Sequence, residues 1–335
     1  MGRRVRSART EPVADDRFPG FTDVVELGSG PGAEFAAREV GTNRAVRLRR
    51  LAPTDPALAD PAELERELST LAVISAHPNV VTLYCSVRAP DGSTVLVLEP
   101  ATGSLADRVA AGGALPPPAA VAVAVAVAGA LETAHRAGVR HGAVSPDTVL
   151  FTRFGAPVLG GLGLTAAPVG YAGPDGHVPP EVLVGAPVTP ATDVYGLAAT
   201  LYHLLAGRPA FPRRAEESAA ELTLRILRDP APALDAARVP IGLGDVLLRA
   251  LAKEAGQRPA SAAALAAQLT AVEQAEGWPL TPLVVGAART PPRRPAPRPR
   301  ESARPRPVSL SGAGAGPSSG SRSPAPARPT STTWG

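Results

Sequence analysis

The sequence predicts an α+β fold of two lobes, a small β-rich lobe followed by an α-helical one, with a low-complexity tail. Three observations carry this. Short β-like runs with one helical stretch fill roughly the first hundred residues. After Gly103 the periodicity turns helical and stays so to Glu276. From residue 281 the composition shifts to Pro, Arg, Gly and Ser, which bury too little apolar surface to offset chain entropy.

Residues 1–18 are polar and charged and are expected to be disordered. FTDVVEL, EFAAREV and RAVRLRRL then read as three strands, separated by GSGPG and the turn GTN. Asp60 to Ser75 reads as a helix, with Leu64, Leu68 and Leu71 at helical spacing. HPNVVTLYCSVRAPDGSTVLVLEP supplies two more strands around an Asp91-Gly92 turn. SLADRVAA is a short helix. PPPAAVAVAVAVAGALETAHRAG alternates Val and Ala like a strand, yet its length, Ala content, leading prolines and Gly138 favour a helix. VRHGAVSPDTVLFTRFGAPVLGGLGL alternates turns with short apolar runs, and helices run from Asp193 to Glu276. The expected organisation is a domain over 19–280, with lobes at about 19–102 and 103–280, and a disordered tail over 281–335.

The chain has 335 residues, 44% hydrophobic and only 4% aromatic, so Ala, Val and Leu carry the packing. Cys85 is the lone cysteine, which excludes an internal disulfide and a cysteine metal cluster; its apolar neighbours suggest a small buried side chain. No apolar run follows the basic N-terminal residues, and AAVAVAVAVAGAL at 119–131 is too short to span a bilayer. No signal peptide or transmembrane segment is expected, and a cytoplasmic protein is. Charge is uneven. Residues 285–335 hold nine Arg against one Glu, or +8, so a chain of net +4 leaves −4 on residues 1–284.

The order and spacing of several motifs resemble a bacterial Ser/Thr protein kinase domain over about residues 19–275. GSGPG, with Gly28, Gly30 and Gly32, lies where that family has its glycine-rich loop. RAVRL puts Arg47 at the third-strand lysine, and Glu67 lies at the glutamate of the following helix. LVLEPATGSLADRV resembles the hinge, with Leu98 as gatekeeper and Glu99 after it. VRHGAVSPDTVL resembles the catalytic loop, VLGGLGL the metal-binding strand end, and VPPE the close of the activation segment. ATDVYGLAATLYHLLAGRPAF and QRPA complete the series. The resemblance implies a two-lobed protein kinase-like fold and an ATP site.

It also implies working groups, and most are replaced. Phosphoryl transfer in this family depends on positioning and on charge around the phosphates. Arg47 keeps the charge of the lysine but not its point geometry. Ala143 replaces the aspartate that accepts the substrate proton, and Ser145 the lysine after it. Thr148 replaces the asparagine that binds magnesium. Gly161 replaces the metal-binding aspartate and offers no side-chain oxygen to a hard cation. Asp147 is the nearest carboxylate and a weak metal candidate. Glu34 beside the glycine loop would repel phosphate. The framework is kept: His141 in the loop, a Glu181–Arg258 ion pair, and Asp193 under the loop backbone are expected to be structural.

Two readings follow. The first is a pseudokinase, a signalling scaffold or regulatory module that needs no cofactor, or takes ATP with little or no magnesium dependence. The alternative is an active atypical kinase transferring the ATP γ-phosphate with relocated metal ligands. Thr165 and Tyr171 are the hydroxyl residues between Gly161 and Glu181. A protein partner is expected, either an active kinase or its substrate. The basic tail is a spacer or a contact for acidic protein, anionic membrane or nucleic acid, with Ser309, Ser321 and Ser323 as phosphorylation candidates.

Overall fold

The computed structural model describes residues 15–28, 33–51, 60–162 and 176–286. Strands β1 (Phe21–Gly28), β2 (Glu34–Glu39), β3 (Ala45–Arg50), β4 (Leu83–Arg88) and β5 (Thr94–Leu98) form one antiparallel sheet in the order β1-β2-β3-β5-β4. Alternation sorts its faces. Val46, Leu48, Val95 and Val97 join Phe18, Phe21 and Phe35 in an outer core. Leu96 points the other way, into the core shared with the first helix. Arg49 stands opposite Leu96, and Arg47 opposite Leu98.

Helix α1 (Pro61–Ile74) starts where Asp60 accepts the Ala62 N–H, with Pro61 following at a position that needs no donor. Leu64, Leu71 and Ile74 bury one face against the sheet side of the main core. Helix α2 (Leu105–Gly112) opens on a Ser104–Asp107 capping box. The Val/Ala stretch is helix α3 (Pro117–Arg136), because its residues pack between helices instead of pairing with a strand. It is the one helix among the described residues long and apolar enough to cross a membrane, and most of it is buried inside the domain.

The hairpin β6 (Val149–Phe151) and β7 (Pro157–Leu159) lies between the lobes, and Val80 bridges to Leu159. Helices α4 (Pro180–Leu183), α5 (Pro190–Ala206), α6 (Ala219–Arg228), α7 (Ile241–Ala250) and α8 (Ala262–Ala275) build the rest. Helix α5 is buried along most of its length and starts at a Thr189–Thr192 capping box.

Three expectations change. Residues 15–18, expected to be disordered, are ordered: Arg17 bonds Asp15, and Phe18 is buried against Phe35 in the outer core. Cys85 is exposed, because β4 is an edge strand whose middle faces solvent despite its apolar composition. Partial burial, with Glu39 nearby, raises its thiol above the ordinary range. The packed body also runs past 280: Thr281 and Gly286 are both hydrogen-bonded to it. The chain divides into Met1–Pro292 and Arg293–Gly335; every described residue lies in the first unit.

Candidate active-site cleft

The loop His141–Thr148 enters from α3 and leaves into β6, and α5 holds it from below. Asp193, in the first turn of α5, is almost fully buried. Its oxygens accept the His141 N–H at 2.9 Å and the Gly142 N–H at 2.7 Å. The His135 Nε2–H donates to it as well, at 2.7 Å. A buried carboxylate is stable only when so paired, and here the pairing also shapes the loop. His135 was not singled out from the sequence; only its place in AHRAG, before the loop, could have pointed to it.

His141 has no free nitrogen. The Ala143 N–H donates to Nδ1 at 3.2 Å, so the ring proton sits on Nε2 and is donated to the Gly160 carbonyl at 2.7 Å. Burial is the largest influence on this imidazole and holds its pKa below the usual histidine value. A neutral ring with both nitrogens engaged ties two loops together and has no capacity left for proton transfer.

The neighbouring positions are equally committed. Ala143 presents a methyl group where the resemblance implies a proton acceptor. The Thr148 hydroxyl accepts the Ser145 N–H at 3.0 Å and turns its proton to the Ser145 and Ala143 carbonyls, at 3.0 and 3.3 Å. It closes the loop on itself. Asp147 is exposed and makes no hydrogen bond or ion pair among the described residues. Gly161 has φ +78°, and a Cβ there would lie 3.6 Å from His141 Nε2. That is ordinary contact, so space does not exclude a side chain there, but the positive φ strains one.

The upper wall comes from the sheet. Arg47 pairs with Glu34 of β2, its diagonal cross-strand neighbour, since Arg47 stands opposite Ala36. Its Nε is buried without a partner among the described residues. Glu67 is half-buried on α1 and makes no hydrogen bond or ion pair among the described residues. The pairing implied between the third strand and this glutamate is therefore replaced by Arg47–Glu34, because Glu34 is already adjacent in the sheet. Arg49, on the same face, was not singled out; the period of two along β3 would have found it. Burial lowers its pKa and Glu34 opposes that, while Arg47 adds to it. Leu98 is partly buried, and Glu99 is tied to Thr82, accepting its hydroxyl at 2.9 Å. Gly28 ends β1 opposite Glu34. Gly30, Gly32, Thr165 and Tyr171 lie outside the described residues.

Below the cleft, Arg258 meets Glu181 through two bonds of 2.7 and 2.8 Å. Its other donors reach the carbonyls of Ala252, Ala191 and Lys253 at 2.8, 2.9 and 3.0 Å. All five guanidinium N–H groups are thereby used. Burial raises the Glu181 pKa, but the bonds from Arg258 outweigh it and leave the carboxyl below its ordinary value.

Two lobes around a cleft, with a histidine loop on a buried helix aspartate, define a class, and the comparisons agree. The protein kinase domain model matches residues 21–268, so the chain belongs to the protein kinase family. Serine/threonine-protein kinase PknK of Mycobacterium tuberculosis is 34% identical over 267 residues, which are 77% of this chain and 24% of that one. PknD of the same species is 31% identical over 260 residues, 71% of this chain and 37% of that one. This chain thus spans well under half the length of either relative. The crystal structure of the M. tuberculosis PknI kinase domain superposes with a TM-score of 0.56 at 27% identity, over 78% of this chain and 98% of that one.

The magnesium ion that such domains use does not fit the residues present. Gly161 offers no side-chain oxygen, Thr148 is spent on its own loop, and Asp147 is exposed. No group of three or more His, Cys, Asp or Glu side chains suited to a metal occurs among the described residues.

Proposed function

We propose that this chain is a catalytically impaired member of the protein kinase family, a pseudokinase that works as a signalling scaffold or regulatory interaction module. The observation that carries the reading is the loop from His141 to Thr148. Its histidine and threonine are consumed by the backbone, and Ala143 has nothing to accept a proton. With Gly161 in the metal position, the general base and both metal ligands are missing together. Those groups supply most of the charge stabilisation in phosphoryl transfer. What remains is the frame: Asp193 under the loop and Glu181–Arg258 beneath the cleft.

A module of this kind acts through a protein partner, an active kinase or that kinase's substrate. Its place is the cytoplasm. The basic tail, at +8 over residues 285–335, favours an acidic partner surface. Any nucleotide would bind through Arg47 without depending on magnesium.

The test uses the full chain. Thermal denaturation is followed with ATP at millimolar concentration, in magnesium and then in EDTA, beside a radiolabelled phosphoryl-transfer assay. A ligand at 100 times its Kd stabilises by about 2.7 kcal/mol, or about 5–10 °C for a domain of this size. The expected result is no phosphoryl transfer, and a shift that is either absent or equal in both buffers. Transfer above background, or a shift seen only with magnesium, refutes the proposal and moves the active atypical kinase to first place.

A further inference from the structure

The chain does not leave the domain at the end of α8. It turns back as an extended segment from Trp278 to Gly286 and crosses α3 toward the loop that follows α1. The Trp278 N–H caps α8 at the Glu273 carbonyl, 2.8 Å away. Thr281 then satisfies the Glu273 carboxylate, its N–H donating at 2.9 Å and its hydroxyl at 2.6 Å. Glu273 is almost fully buried, so this segment is what makes its burial tolerable. Further on, the Gly286 N–H donates to Thr133 Oγ1 at 2.9 Å, and that hydroxyl donates to the Gly129 carbonyl.

Between these anchors the segment reaches the end of α1. The buried His77 takes the Asn79 N–H on Nδ1 at 3.0 Å, and its Nε2–H donates to the Val284 carbonyl at 2.9 Å. His77 also closes the C-terminal turn of α1, its N–H reaching the Ile74 carbonyl at 3.0 Å. The approach to α3 is as close as backbone allows. A Cβ on Gly129 would lie 2.2 Å from the Val284 carbonyl oxygen, and the next nearest atoms also belong to Val284 and Leu283. Glycine in mid-helix is otherwise unfavourable. Here it makes the groove into which the segment fits.

We propose that Trp278–Gly286 is a strap between the lobes that holds the C-terminal end of α1 in place. Hydrogen bonds carry it more than apolar burial: Leu280, Leu283 and Val284 remain substantially exposed. An element with few buried contacts opens at low free energy. The strap holds α1 while Arg47 is given to Glu34, and its release frees α1 to move.

Hydrogen–deuterium exchange on the full chain tests this with Gly129→Ala, which favours the helix while excluding Val284. Exchange in 278–286 should rise about tenfold or more, the factor that follows the loss of one good hydrogen bond. Exchange in 71–80 should rise with it, about threefold, while α5 stays unchanged. Thr133→Val, which removes the Gly286 anchor without adding bulk, should shift the same two segments in the same direction. A rise confined to 278–286 overturns the proposal, since the segment would then be an end without hold on α1. No rise in 278–286 in either variant overturns it too.

Discussion

Glu181→Ala leaves a guanidinium that is wholly buried with no counter-charge. The Arg258 side chain is 0% exposed, whereas the Glu181 side chain is 19% exposed. Three backbone carbonyls still accept from Arg258, so its hydrogen bonds are partly kept and its charge is not compensated. Breaking a buried pair by removing one partner costs about 3–5 kcal/mol. At about 2–4 °C per kcal/mol for a domain of this size, the melting temperature should fall by about 6–20 °C. Circular dichroism of the full chain during heating reads this directly. Because the Glu181 carboxyl is held below its ordinary value, the pair stabilises above the unfolded pKa of 4.5 and the stabilisation is lost as pH falls through the folded pKa. The substituted chain should lack that part of the acid dependence. The double change Glu181→Leu with Arg258→Met should recover part of the loss, since replacing both partners removes the orphaned charge. A fall below about 2 °C for Glu181→Ala would put the pair in the range of surface ion pairs and refute the argument.

Other outcomes follow from the same geometry. His141 is held neutral by burial, with its folded pKa below the unfolded 6.5, so stability should decline as pH falls below 6.5. Melting temperatures between pH 7.5 and 5.5 check this, and the slope should be shallower in His141→Asn. Ser104→Ala removes the capping box of α2 and should cost about 1 kcal/mol, read as a small fall in melting temperature; no change would mean the cap is not formed in solution. Ala143→Asp, Thr148→Asn, Gly161→Asp and Arg47→Lys together should raise magnesium-dependent phosphoryl transfer above that of the unaltered chain. Asp is among the few residues that adopt a positive φ such as that at Gly161, at some cost in strain, and space for its Cβ is present. A folded fourfold variant without any gain in transfer would refute the idea that these four positions limit the chemistry.

Much of this was legible in the sequence because it is local. Asp60 and Ser104 mark helix starts through bonds to residues two or three further on. The Val/Ala stretch was harder, since its alternation imitates a strand; length and Ala content decided for α3. Cys85 failed for the opposite reason. Its neighbours are apolar, but whether a strand lies at the edge depends on which strands pair, and β4 has only β5 beside it.

The sequence by itself determined the order of the elements, the kinase-like arrangement of motifs, and the chemical poverty of Ala143 and Gly161, since a side chain that is not encoded cannot be supplied by folding. Only the tertiary structure decided how the remaining groups are spent. Arg47 goes to Glu34 and not to Glu67 because sheet register brings Glu34 close. Thr148 closes its own loop, and His77 reaches Val284, 207 residues away in the chain. Such contacts join residues by position in space, which no spacing along the chain encodes.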